Sequence, residues 1–178
     1  IVATMLSDIE TGGEEKAIEY ATKLDNYSGN IVITSDEIEA ATAKLSQQVK
    51  DDIQFAYDRV RGFAEKQRAA LVDFEVELSP GLFAGHKQIP VQTAGCYVPG
   101  GRYAHVASAI MSVATAKAAG VDHVIACSPP KPGEGVNPAI IYTADLCGAD
   151  TILALGGVQG IAAMAFGLFT GHAADILV

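Results

Sequence analysis

Apolar positions follow two different patterns along the chain. Up to about residue 75 they recur at helical spacing: Val2, Met5, Leu6 and Ile9 form one stripe, and Ile18, Ala21 and Leu24 form another. This predicts two helices. Residues 26–30, with Gly29, read as a turn, and Ile31-Val32-Ile33 reads as a short strand. Thr34-Ser35-Asp36-Glu37 supplies a cap and early acids, so residues 35–70 are expected to be mostly helix in two pieces. Lys50, Asp51, Asp52 and Arg59 fall on its solvated faces. Phe74-Glu75-Val76-Glu77-Leu78 alternates apolar with polar, the mark of a half-exposed strand, and Ser79-Pro80-Gly81 is a turn.

From Ala94 onward the chain is rich in Gly, Ala, Val and Ile and poor in charge. Thr93 to Val98 contains a candidate buried strand, and further apolar strands are expected over 123–127, 151–155 and 175–178. Helical stretches over 104–119, 137–147 and 159–166 lie between them. Strand and helix in alternation build right-handed crossovers and a parallel sheet covered on both faces. The expected fold class is therefore α/β: a Rossmann-like parallel sheet preceded by a mainly helical N-terminal segment. The shift in composition places a boundary near residue 95. Residues 1–95 are read as the helical part of a first, incomplete domain, and residues 96–178 as a Rossmann-like, nucleotide-binding domain.

Composition narrows the function. The chain has 178 residues, 49% hydrophobic and 19% charged, which suits a packed globular protein. Its net charge is −9 and no stretch gathers Lys and Arg into a basic stripe, so nucleic acid is excluded as an expected partner. Cys96, Cys127 and Cys147 show neither CxxC spacing nor a disulfide framework, which fits a reducing cytoplasm. No charged-then-apolar leader opens the chain, and its apolar runs break well before the roughly 20 residues a membrane span needs. It starts at Ile1 and stops inside the apolar run Ile176-Leu177-Val178, so a longer protein is expected around it.

In open parallel sheets ligands bind beyond the carboxyl ends of the strands. Two loops at such points are glycine-rich: Pro99-Gly100-Gly101 after the first strand, and Gly156-Gly157-Val158-Gln159-Gly160 after the third. Paired glycines either make tight turns or let N–H groups approach an anion beside a helix start. Neither loop matches G-x-G-x-x-G. Tyr97 leads into the first loop and Gln159 opens the helix after the second. One offers a ring and a hydroxyl, the other a donor and an acceptor, and either also serves in packing or capping.

Four motifs in order carry a resemblance: Gly95-Cys96-Tyr97-Val98-Pro99-Gly100-Gly101, Ala116-Lys117-Ala118-Ala119-Gly120-Val121, Cys127-Ser128-Pro129-Pro130, and Gly156-Gly157-Val158-Gln159-Gly160-Ile161-Ala162-Ala163. Together they resemble histidinol dehydrogenases and their relatives. The resemblance implies an NAD-dependent homodimer with zinc that takes a primary alcohol through an aldehyde to a carboxylate. It makes Tyr97, Gln159, Gly100, Gly101, Gly156 and Gly157 cofactor-binding candidates. The family's further NAD contact, an Asn in a Gly-Pro-Gly-Asn loop, would follow Val178, and its zinc ligands and Glu-His acid/base pair come later still. No catalytic or metal residue is therefore expected here, and none of His86, His105, His123 or His172 has a ligand-like partner at metal spacing. The piece alone is expected to be inactive.

After Pro-Gly-Gly, histidinol dehydrogenases usually continue with small residues and a Pro, whereas this chain has Arg102-Tyr103-Ala104-His105. Arg102, His105 and Ser108 look more like the family's sulfopropanediol dehydrogenase branch, and they are the substrate-binding candidates. An Arg fork suits an anionic headgroup, although Arg102 also reads as a surface residue at a helix start. Histidinol remains the alternative substrate. A catalytically inert nucleotide-binding module is the alternative of another class.

Overall fold

The structure is a computed structural model, and it describes residues 1–100 and 103–178. It is α/β. Strands β3 (Thr93–Tyr97), β4 (His123–Ser128), β5 (Thr151–Ala154) and β6 (Ile176–Leu177) form one parallel sheet in the order β5-β4-β3-β6. Every neighbouring pair is parallel, as the alternation of strand and helix predicts.

Side chains of the three inner segments alternate between two cores. Ala94, Cys96 and Val98, Val124 and Ala126, and Ile152 and Ala154 enter one core. Ile125, Cys127, Leu153 and Leu155 enter the other, with Tyr97 packed against it. The expected strand at residues 31–33 follows the same alternation, with Ile33 in the first core and Ile31 in the second. It joins the β5 edge through an antiparallel bridge between Val32 and Leu153. Ile33 N–H donates to Ile152 O at 2.9 Å, and Ala154 N–H donates to Ile31 O at 2.8 Å.

Helices cover both faces. On the Ile125 face lie α7 (Gly157–Phe166) and, against it, α1 (Val2–Tyr20), with Ile9, Ala17 and Ala162 in their shared interior. A non-helical Gly13 (φ 61°, ψ −145°) divides α1, and a π-type turn, Ala21–Asp25, ends it. The apolar stripe after this kink differs from the one read from sequence. Ala17 and Ala21 are buried, while Ile18 and Leu24 face outward at 42% and 55% exposure. Small residues face α7 here because the helices must approach closely.

On the opposite face α2 (Ser35–Ala43) packs on α6 (Pro138–Leu146). The long α3 (Gln47–Ala70) packs on α5 (Thr115–Ala119) and on the π-type segment Ile110–Ala114, which joins α5 to α4 (Val106–Ala109). Ala41 and Ile53 share the core of the sheet's Ala94 face. Thr34 and Glu37 form a reciprocal capping box at the start of α2, as the sequence signature implies. Asn137 caps α6 through a 2.9 Å bond from Ala139 N–H, with Pro138 in the first turn.

The strand expected from residue 74 is β1 (Phe74–Ser79), but it is not half buried. It pairs antiparallel with β2 (Leu82–His86), a strand the sequence reading does not contain, and every residue of both is exposed. Alternation in β1 is therefore not a sign of one face packed on this chain's core.

At the amino end of the sheet, Asp175 Oδ2 accepts from the Gln92 and Thr93 N–H groups at 2.9 Å each, tying β6 to β3. His123 stacks on His172 with ring centroids 4.3 Å apart, and its Nε2 is buried without a partner among the described residues. Burial, reinforced by His172, pulls the His123 pKa below the ordinary histidine value. A histidine harder to protonate folded than unfolded leaves stability intact above the ordinary value and erodes it as pH falls below about 6.5. The thermal midpoint should therefore drop between about pH 7 and about pH 5, and the drop should be shallower in His123→Gln. Melting curves that coincide for the two proteins across that range would refute the assignment.

Candidate functional site

Three loops meet at the carboxyl end of the sheet. The loop after β3 holds Pro99 and Gly100, the loop after β4 holds Pro129, and the loop after β5 holds Gly156, with Gly157 opening α7. Pro129 lies between the other two. A Cβ on Gly100 would stand 2.5 Å from Pro129 Cγ, and one on Gly156 would stand 3.0 Å from Pro129 Cβ and 3.0 Å from Asp25 Oδ2. Only glycine fits either place without a shift.

Tyr97 ends β3 half buried, and its hydroxyl accepts from the Gly157 N–H at 3.0 Å. Burial pushes the Tyr97 hydroxyl above its ordinary pKa, and the bond from Gly157 opposes that shift. Gly157 itself has φ +48°, a conformation favouring glycine at the first position of α7. The N-cap residue, Gly156, has no side chain to cap α7, and the Tyr97 hydroxyl takes the first N–H instead. Beside this junction Tyr97, Gly157, Val158 and Ile161 line an open cleft of about 390 Å³ with Val2 and Leu6 of α1. It is almost wholly apolar, and it suits a flat ring.

Gln159 sits one turn into α7 but does not line that cleft. Its side chain turns inward and is 2% exposed. Its Nε2 donates to Asp25 Oδ2 at 2.7 Å, and its Oε1 is buried with no partner among the described residues. Gly160 packs against the sheet, where a Cβ would meet Cys127 Sγ at 2.8 Å and Leu155 O at 3.1 Å. The Cys127 thiol donates to Leu155 O at 3.3 Å, and full burial pushes its pKa up to about 12. Cys147 is likewise raised to about 12 and Cys96 is raised, in each case chiefly by burial. These are structural cysteines and not nucleophiles.

The structure thus brings Tyr97, Gly100, Gly156, Gly157 and Gln159 to one end of the sheet. Gly101 and Arg102 lie outside the described residues. His105 is exposed at the N-cap of α4, and Ser108, half buried in that helix, accepts from Ser112 Oγ through its carbonyl at 2.8 Å. Asp25 is the site residue that sequence reasoning misses. An acid after Leu24 looks like a solvated helix end, and no local signal links it to Gln159. Among the described residues no cluster of three or more His, Cys, Asp or Glu could hold a metal ion, and no helix is long and apolar enough to cross a membrane.

A parallel sheet with glycine loops at its carboxyl edge defines an α/β protein of the Rossmann-like class. The family model for histidinol dehydrogenase matches residues 1–178, and the chain belongs to that family. It is 60% identical over 177 residues to "Sulfopropanediol 3-dehydrogenase" of Ruegeria pomeroyi, covering 99% of this chain and 41% of that protein. It is 62% identical over 179 residues to "Histidinol dehydrogenase homolog" of Pelagibacter ubique, covering all of this chain and 42% of the relative. The crystal structure of histidinol dehydrogenase from Elizabethkingia anophelis superposes with a TM-score of 0.92 at 33% identity, over 99% of this chain and 40% of that one. The chain thus spans about two fifths of the length of these relatives.

The tight seat of Gly160 leads to an expected outcome. Gly160→Ala should lower stability by about 1–3 kcal/mol, the usual cost of overpacking, because one of the atoms its Cβ meets is backbone. A thermal midpoint equal to that of the parent chain would show that α7 can move aside freely.

Proposed function

We propose that the full protein is an NAD-dependent dehydrogenase that oxidises a small primary alcohol, through the aldehyde, to a carboxylate. The single observation carrying this reading is the junction of Tyr97, Gly157 and Gln159 beside an apolar cleft, with a buried acceptor, Gln159 Oε1, unclaimed among the described residues. A buried polar atom without a partner is costly, so its presence in a family of cofactor enzymes favours a ligand as the missing partner.

The residues present fit part of a dinucleotide. Tyr97, Val158 and Ile161 offer apolar contact for a ring, the buried Gln159 Oε1 beneath Gly157 is an acceptor, and the start of α7 faces the same end of the sheet. When bound, NAD supplies the hydride acceptor for both oxidation steps. The chain's own contribution is to orient and shield: Tyr97 fixes the loop at Gly157, and Gly100 and Gly156 keep the loops close around Pro129. The acid/base pair and the zinc ligands are assigned to parts of the protein outside residues 1–178. A cytoplasmic homodimer is the assembly we propose for it.

For the substrate we propose a sulfopropanediol, a dihydroxypropane sulfonate. Support comes from the 60% identity to a relative of that name and from Arg102-Tyr103-Ala104-His105. In this reading Arg102 pairs with the sulfonate, with His105 and Ser108 nearby in sequence. A charge-assisted hydrogen bond contributes about 1.5–3 kcal/mol, or about one to two decades of affinity.

In the full-length protein, Arg102→Ala should raise the KM for the sulfonate diol by about one to two decades and leave the KM for NAD nearly unchanged. A wild-type protein that oxidises histidinol far better than the sulfonate would reverse the substrate assignment. NAD binding in calorimetry without turnover of either alcohol would instead leave the inert-module reading.

A further inference from the structure

Gln159 has one half of its amide accounted for. Its nitrogen is held by Asp25, while its oxygen is buried, has no partner among the described residues, and lies 3.7 Å from where a Cβ on Gly157 would stand, beneath a residue that lines the cleft. A carboxylate can only accept, so the amide nitrogen must face Asp25 and the oxygen must face away from it.

Asp25 is itself fixed in place. It ends the π-type turn after α1, and Asn26 follows in the left-handed region at φ 50°, its N–H returning to Ala21 O. Gly156 leaves the room the carboxylate occupies, since a Cβ there would lie 3.0 and 3.1 Å from its two oxygens. The turn, the glycine and the 2.7 Å bond agree on one arrangement.

We infer that Asp25 is a positioning residue: it locks the Gln159 amide with its oxygen away from the carboxylate and beneath Gly157, at the floor of the proposed cofactor site, so that the site selects a hydrogen-bond donor, an amino or hydroxyl group, on the nucleotide. This rests on the cofactor site proposed above. Asp25 acts through Gln159 and does not itself touch the ligand. Its negative charge beside an anionic dinucleotide would otherwise oppose binding, so the two roles predict opposite signs on its removal.

The test is a double-mutant cycle in the full-length protein, with NAD binding read by calorimetry. Asp25→Ala should weaken NAD binding by about three- to tenfold, and should cause no further loss in a Gln159→Ala background. Asp25→Asn keeps an acceptor for the amide nitrogen and should stay within about twofold of wild type. Asp25→Leu, which fills the space without a polar atom, is expected to match Asp25→Ala, so poor folding of one variant leaves the other to decide. Unchanged or tighter binding in Asp25→Ala and Asp25→Leu, or an equal loss with and without Gln159, would overturn the inference while the cofactor site stands. If Gln159→Ala alone leaves NAD affinity unchanged, the cofactor site falls and this inference falls with it.

Discussion

A parallel sheet has no face that can be left to water, because its strands are apolar on both sides and its crossovers must pack over them. Here that requirement is met from two parts of the chain. The crossover helices α4 to α7 form the inner cover, and α1, α2 and α3 lie against them. Residues 31–33 close the β5 edge. Because α1 must lie on α7 to bury Ile9 and Ala17, the turn that ends α1 arrives at the carboxyl end of the sheet and carries Asp25 to Gln159. The site is thus a by-product of how the sheet is covered.

The sheet is legible in the sequence because period-2 burial and short apolar runs coincide in β3, β4 and β5, and because Thr34, Glu37, Asn137 and Pro138 mark helix starts with local chemistry. The stripe after Gly13 is not. Ile18 and Leu24 score as the stronger hydrophobes, but close helix contact favours the small Ala17 and Ala21. The hairpin is illegible for a related reason. Leu82-Phe83-Ala84-Gly85-His86 has no clean alternation, and its partner β1 buries neither face, so burial supplies no pattern to read.

The candidate site divides in the same way. Tyr97 and the Gly156-Gly157 loop can be placed because strand ends, glycine pairs and helix starts are local features, and the structure sets them together. Gln159 can be placed on its helix, but its inward turn cannot be foreseen, since the residue that holds it lies 134 positions away. Long-range polar pairs leave no periodic trace in a single sequence.

Pro129 touches the places where both neighbouring loops lack a Cβ. In mutational terms Gly100, Pro129 and Gly156 are therefore not three positions but one. A larger residue at either glycine meets the same ring, and whether it is tolerated depends on what occupies 129. Divergence within the family at this edge of the sheet should proceed by linked replacements, and the glycine loops change shape as a set or not at all.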